Sequence, residues 1–136
     1  MQKLFIEEGR RTPAIMLSSD DKLFYIKGAS FPEDVRQMYY PVIDWIKKFT
    51  EKIKSGKCKI FNKDNPIYFQ MDLSYFNSSS AKFFYDIFYE LKQLESEGIP
   101  VIVEWFYEEN DPDMKDAGSD FSEMLEMEFV FTAKKV

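Results

Sequence analysis

The residues best suited to chemistry lie in one run, Tyr75-Phe76-Asn77-Ser78-Ser79-Ser80-Ala81-Lys82. It sits between an apolar stretch, Pro66 to Leu73, and a helical pattern from Phe83 to Leu94. That is a strand, a short polar turn and a helix. An asparagine followed by three hydroxyls can do two things there. The side chains can cap the helix, accepting from the N–H groups its first turn leaves free. A hydroxyl can instead take a phosphoryl group, adding about −1.5 to −2 charges beside the positive end of the helix dipole. Residue types alone permit both. Asn77 is placed as the N-cap, Ser78 at the helix mouth, and Ser79 and Ser80 inside the first turn, where hydroxyls bond backbone groups locally. Lys82 is one helical turn beyond Ser78, within reach of a phosphate or simply solvated.

Other chemistry is poorly served. The acidic stretch 108–120 carries Glu108, Glu109, Asp111, Asp113, Asp116 and Asp120, with Glu104 just before it. A calcium loop starting at Asp111 needs glycine where Asp116 stands. One starting at Asp113 needs an oxygen ligand at Lys115 and a glutamate at Met124. Both registers fail, and no dedicated metal site is expected. Cys58 lies between Lys57 and Lys59, but the chain has no histidine to pair with it. The same absence removes Ser-His-Asp and Cys-His catalysis and the usual zinc sites. The five glycines are scattered and form no phosphate-cradling loop. No active site or cofactor site emerges, which favours a binding or regulatory module. An enzyme or a small-ligand or metal-binding domain using 108–120 is the alternative.

Stepping from these residues to what must hold them, 136 residues fit a single domain, 1–136, and a 45% hydrophobic fraction supplies a core. A net charge of −6 opposes nucleic-acid binding. One cysteine forms no internal disulfide, and no run reaches membrane-spanning length, so a cytoplasmic protein without membrane contact is expected. Lys3 to Glu7 reads as an edge strand; Ala14–Leu17 and Lys22–Lys27 read as a hairpin. Ser30 is placed as N-cap of a helix from Glu33 to Lys54, kinked or divided at Pro41. Lys57 to Phe61 reads as a short strand and Ile67 to Leu73 as a central one. A second helix covers Ser79 to Glu97 and ends at Gly98. Ile99 to Trp105 is nearly continuously apolar, as a strand covered on both faces would be. Residues 108–120 read as a loop with room for one helical turn, and Met124 to Phe131 as a terminal strand, with a short helix as the lesser alternative. The expected fold is α/β, a mixed β-sheet with two long helices packed on it and the strands 67–73 and 99–105 parallel.

Several segments resemble one family in order along the chain. They are Thr12-Pro13, Gly28-Ala29-Ser30-Phe31-Pro32-Glu33, Tyr75 to Lys82, Trp105-Phe106-Tyr107, then Asp111-Pro112-Asp113-Met114 and Gly118. Together they resemble the SiaC family of bacterial regulatory phosphoproteins, over about Thr12 to Phe131. The resemblance implies a STAS-like fold and a non-enzymatic, partner-switching role. It implies a cognate Ser/Thr kinase and a PP2C-type phosphatase. It also implies a diguanylate cyclase activated by the unphosphorylated form, and so cyclic-di-GMP and biofilm signalling. The family's acceptor directly follows the asparagine, which makes Ser78 the acceptor here and Ser79 the alternative.

Overall fold

Apolar residues two apart in each strand fall on one face of the sheet. They are Ile15 and Leu17, Phe24 and Ile26, Ile67, Phe69, Met71 and Leu73, then Val101, Val103 and Trp105, and Phe129, all buried. The register sets Ile26 beside Met71, and Met71 beside Trp105, so these side chains project together. In the computed structural model, which describes residues 1–136, they belong to six strands arranged in chain order. These are β1 (Leu4–Ile6), β2 (Ala14–Ser18), β3 (Leu23–Ser30), β4 (Ile67–Phe76), β5 (Val101–Glu108) and β6 (Phe129–Lys134). β2 runs antiparallel to both of its neighbours, β1 and β3; β3 through β6 run parallel. The parallel relation expected between 67–73 and 99–105 is present.

Three helices fill the parallel crossovers, α1 (Val35–Lys54), α2 (Ser78–Lys92) and α3 (Pro112–Leu125). Crossovers between parallel neighbours are right-handed in nearly all proteins. When strand order advances steadily in one direction, that shared hand puts every helix on the same face. The aromatic contacts agree. Phe24 of β3 meets Trp45 and Phe49 of α1, Phe69 of β4 meets Phe88 of α2, and Trp105 of β5 meets Phe121 of α3. One core of thirty residues results. The other sheet face has no helix over it. Phe5, Met16, Tyr25, Gln70, Glu104 and Val130 form a row across it in register. The expectation that β5 is covered on both faces is therefore corrected. Ile102 and Phe106 are half-buried by neighbours on the open face, not by a layer of helices.

Several boundaries differ from expectation. Ser30 ends β3 rather than capping α1, because β3 continues as far as its partner β4 does. Asp34 is the cap instead, its Oδ1 accepting from the Gln37 N–H at 3.1 Å. α1 runs unbroken through Pro41, which lies on its exposed side, where water can serve the freed Gln37 carbonyl. α2 begins one residue early, at Ser78, and passes at Gln93–Glu97 into a 3-10 turn that Gly98 ends at φ 78°. Lys57 to Phe61 is not a strand; Phe61 instead sends its ring into the core against Phe24 and Phe49. The terminal strand begins only at Phe129, since Met124 and Leu125 belong to α3.

The stretch 108–120 is the largest correction. It is not a loop; most of it is the first part of α3, a third helix packed on the sheet. Asp111 caps it by accepting from the Met114 N–H at 3.2 Å, with Pro112 at its start. Its buried stripe is Met114, Gly118, Phe121 and Leu125. Gly118 is the point of closest approach. A Cβ there would lie 2.7 Å from the Trp105 indole, which is pinned by donating from Nε1 to the Met114 carbonyl at 2.9 Å. Alanine gains about 1 kcal/mol over glycine in an open helix. Overpacking against a buried ring costs about 1–3 kcal/mol, and this ring cannot retreat without breaking its bond. Gly118→Ala is expected to lower stability by roughly 1 kcal/mol or more, read by urea denaturation. An increase would mean that α3 lifts freely off β5.

Candidate functional site

β3 and β4 are parallel neighbours that end level, Ser30 beside Phe76. The turn Asn77-Ser78-Ser79-Ser80 therefore starts at the carboxyl end of the sheet, against the last residue of β3. Asn77 is the N-cap, as the sequence indicates. Its Oδ1 accepts from the Ser80 N–H at 2.9 Å, and its carbonyl accepts from the Ala81 N–H at 3.0 Å. Its own N–H donates to the Ser30 carbonyl at 3.0 Å.

Ser80 does not bond locally, contrary to expectation. It is fully buried, on the face of α2 that also carries Phe84, Ile87 and Leu91. Its hydroxyl donates to the Ser30 carbonyl at 3.1 Å and lies 2.8 Å from the Ser30 Oγ. The Ser30 Oγ lies 2.6 Å from the Tyr39 hydroxyl of α1. One arrangement uses every proton. Tyr39 donates to the Ser30 Oγ, Ser30 donates to the Ser80 Oγ, and Ser80 donates to the Ser30 carbonyl. No buried side-chain nitrogen or oxygen of the protein lacks a partner. Each such bond contributes about 0.5–1.5 kcal/mol, and orphaning a buried hydroxyl costs about 1–3 kcal/mol. Tyr39 packs further on Phe83 and Phe84 of α2. Burial pushes its phenol well above the ordinary tyrosine range, and the Ser30 contact offsets part of that.

Ser78 and Ser79 remain, both exposed. They are the first two helical residues, so no carbonyl four residues back is available to their N–H groups. The Ser30 carbonyl holds Asn77 on one side of the pair and Ser80 on the other. The result is two surface hydroxyls over free amides, on a turn anchored at both ends. Lys82 is exposed on the same helix and is absent from the protein's three ion pairs. Near the turn are further side chains, of which Arg11 and Tyr40 were not singled out by the sequence. The Tyr75 ring, 53% exposed, meets the edge of Phe31 at 5.7 Å. The Arg11 guanidinium sits over Phe31 at 6.0 Å and pairs with Glu33 at 3.3 Å. Exposed Tyr40 leans on Phe83, one turn below Ser79. Elsewhere, the carboxylates of α3 are exposed to solvent, and no three acidic or thiol side chains of the protein converge as metal ligands would. Cys58 is half-buried. No helix is long and apolar enough to cross a membrane.

Exposed hydroxyls at a helix mouth, anchored from beneath, suit a regulatory module that other proteins recognise. The chain matches the model of the SiaC family regulatory phosphoproteins over residues 6–134, and it belongs to that family. SiaC of Pseudomonas aeruginosa is 26% identical, with a TM-score of 0.81 over 98% of this chain and 100% of that one. The crystal structure of the diguanylate cyclase SiaD in complex with its activator SiaC, from the same organism, gives a TM-score of 0.82 at 26% identity, covering 96% of this chain and 99% of that chain. An uncharacterized protein of Pseudomonas aeruginosa strain UCBPP-PA14 is 26% identical over 133 residues, 98% of both chains.

The buried phenol has a measurable consequence. An unfolded chain ionises Tyr39 near pH 10, while the folded chain keeps it protonated to higher pH. The folded state then binds more protons, so its contribution is fully present below about pH 10 and is lost as pH rises further. Tyr39→Phe removes that dependence. Denaturant titrations at about pH 8 and about pH 11 are expected to show a smaller loss in the variant than in the parent. Equal losses would mean the phenol is not held protonated by burial.

Proposed function

We propose that this chain is a non-enzymatic, cytoplasmic regulatory phosphoprotein whose acceptor is Ser78, and that its unphosphorylated form binds and activates a diguanylate cyclase. The observation that carries the reading is the presentation of Ser78 and Ser79 between two anchors while Ser80 is buried. Ser78 directly follows the cap and occupies the acceptor position implied by the family resemblance. Membership in the SiaC family supports the regulatory role. The cyclase is proposed because SiaC of Pseudomonas aeruginosa is the activator of SiaD in the complex it resembles. A cognate kinase and a PP2C-type phosphatase complete the cycle.

Phosphorylation joins the Ser78 Oγ to the γ-phosphorus of ATP, breaks the bond to the bridging oxygen and releases ADP. The hydroxyl proton passes to a base of the kinase. Hydrolysis by the phosphatase returns serine and inorganic phosphate. The phosphate dianion lies beside the free amides of the first turn, so the fold tolerates it. Lys82, one turn on, approaches it. The partner instead meets new charge within the surface formed by Tyr75, Phe31 and Tyr40. A switch requires such an unequal effect on bound and free states. The stretch 108–120 lends the alternative enzyme or ligand-binding reading no support, since most of it is helical, Asp111 is engaged in capping, and no three of its carboxylates converge.

Incubation with the kinase and ATP, followed by fragment mass mapping, tests the acceptor. Ser78→Ala is expected to take no phosphate, and Ser79→Ala to take as much as the parent. Phosphate uptake by Ser78→Ala at the parental rate would transfer the role to Ser79. Tyr75→Ala tests the surface. It is expected to weaken cyclase binding about tenfold, the weight of one exposed aromatic anchor, and to leave thermal stability nearly unchanged. Unchanged affinity, with cross-links to the open sheet face, would place the partner elsewhere.

A further inference from the structure

Local chemistry does not decide where α2 begins. Asn77, Ser78, Ser79 and Ser80 are four consecutive residues of nearly equal capping strength. With Ser78 as the cap, its hydroxyl would turn onto the Ala81 N–H and be withdrawn from a phosphoryl donor. With Ser79 as the cap, the Lys82 N–H would take that hydroxyl instead. Four competing starts thus differ little in local energy but expose different serines.

Tertiary bonds break the tie. The Ser80 hydroxyl is held fifty residues away in sequence by both the carbonyl and the hydroxyl of Ser30, and Ser30 is held in turn by Tyr39. The Ser30 carbonyl takes the Asn77 N–H as well. With Asn77 as the cap, Ser80 is the third helical residue and faces inward onto Ser30, so this start is the one that carries the buried bonds. We propose that Tyr39, Ser30 and Ser80 are positioning residues that fix Asn77 as the cap and thereby select which serine is offered for modification. The selection rests on the reading of this turn as the phosphoacceptor; the fixing of the helix start does not. In this account Ser80 is the anchor that allows Ser78 to be the acceptor.

The test compares the full chain with Tyr39→Phe and Ser80→Ala, using two readouts. The first needs no kinase. Amide hydrogen exchange is followed at Ser80 and Ala81, whose N–H groups bond to Asn77. Both variants are expected to exchange about fivefold faster there, what one ordinary hydrogen bond is worth, with the amides near Leu91 unchanged. The second readout is the distribution of phosphate after kinase treatment. The parent is expected to carry it on one serine, and Tyr39→Phe to spread it onto Ser79 or Ser80. A purely structural role for the three hydroxyls would speed exchange along all of α2 and leave the distribution unchanged, and that result overturns the proposal. Local acceleration with an unchanged distribution also overturns the selection, because the helix start would then be held without choosing the acceptor. A parent that takes no phosphate removes the phosphoacceptor reading and the selection with it, whereas exchange at Ser80 and Ala81 still decides whether the three hydroxyls fix the start of α2.

Discussion

One carbonyl, that of Ser30, accepts from two donors, the Asn77 N–H and the Ser80 hydroxyl. Through it, the end of β3 grips both sides of the turn between β4 and α2. The Ser30 side chain extends the grip to Tyr39 of α1. Three elements far apart in sequence therefore meet in a space too dry to leave any of these groups unpaired. The aromatic packing of Tyr39 on Phe83 and Phe84 encloses the contact. Two surface hydroxyls are displayed on a rigid base because their neighbours on either side are committed beneath them.

Topology explains why this happens at that end of the molecule. Parallel strands linked by helices gather their carboxyl ends along one edge, where open α/β sheets place their sites. β3 and β4 end level there, each feeding a helix. The shared hand of the crossovers sends all three helices to one face. Helix packing thus belongs to one side of the sheet, while the proposed switch turn lies at the carboxyl edge, beside the Phe31–Tyr75 ring pair. Replacing either ring alters that surface with little change to the core, since Tyr75 is largely exposed and Phe31 only half-buried.

Features with a local cause were legible in the sequence. That a helix starts within Asn77–Ser80 is a local signal, since all four residue types favour a cap. The stripes of α1 and α2 and the alternation of β4 are periodic enough to read directly. α3 was not legible, because its stripe includes a glycine and lies among acids whose composition suggests a loop. Asp111 followed by Pro112 is a local start signal that the surrounding acids outweighed, and the fit of Gly118 against Trp105 is a contact between elements that no local pattern shows. Ser30 was misplaced for a similar reason. A serine two residues before a proline looks like a helix cap, and only pairing with β4 shows that the strand continues to it. The bond of Ser80 to Ser30 spans fifty residues and leaves no local trace. The family resemblance carried the acceptor and partner expectations, which composition and spacing could not supply.

The central claim is that charge on the turn at Ser78 decides partner binding while the fold persists. The most direct measurement is calorimetric titration of the diguanylate cyclase with the unphosphorylated chain and with the kinase-treated chain phosphorylated at Ser78, alongside their circular dichroism. The account predicts overlapping spectra and an affinity at least about tenfold weaker for the phosphorylated form, about 1.4 kcal/mol. Equal affinities for two equally folded forms would contradict it.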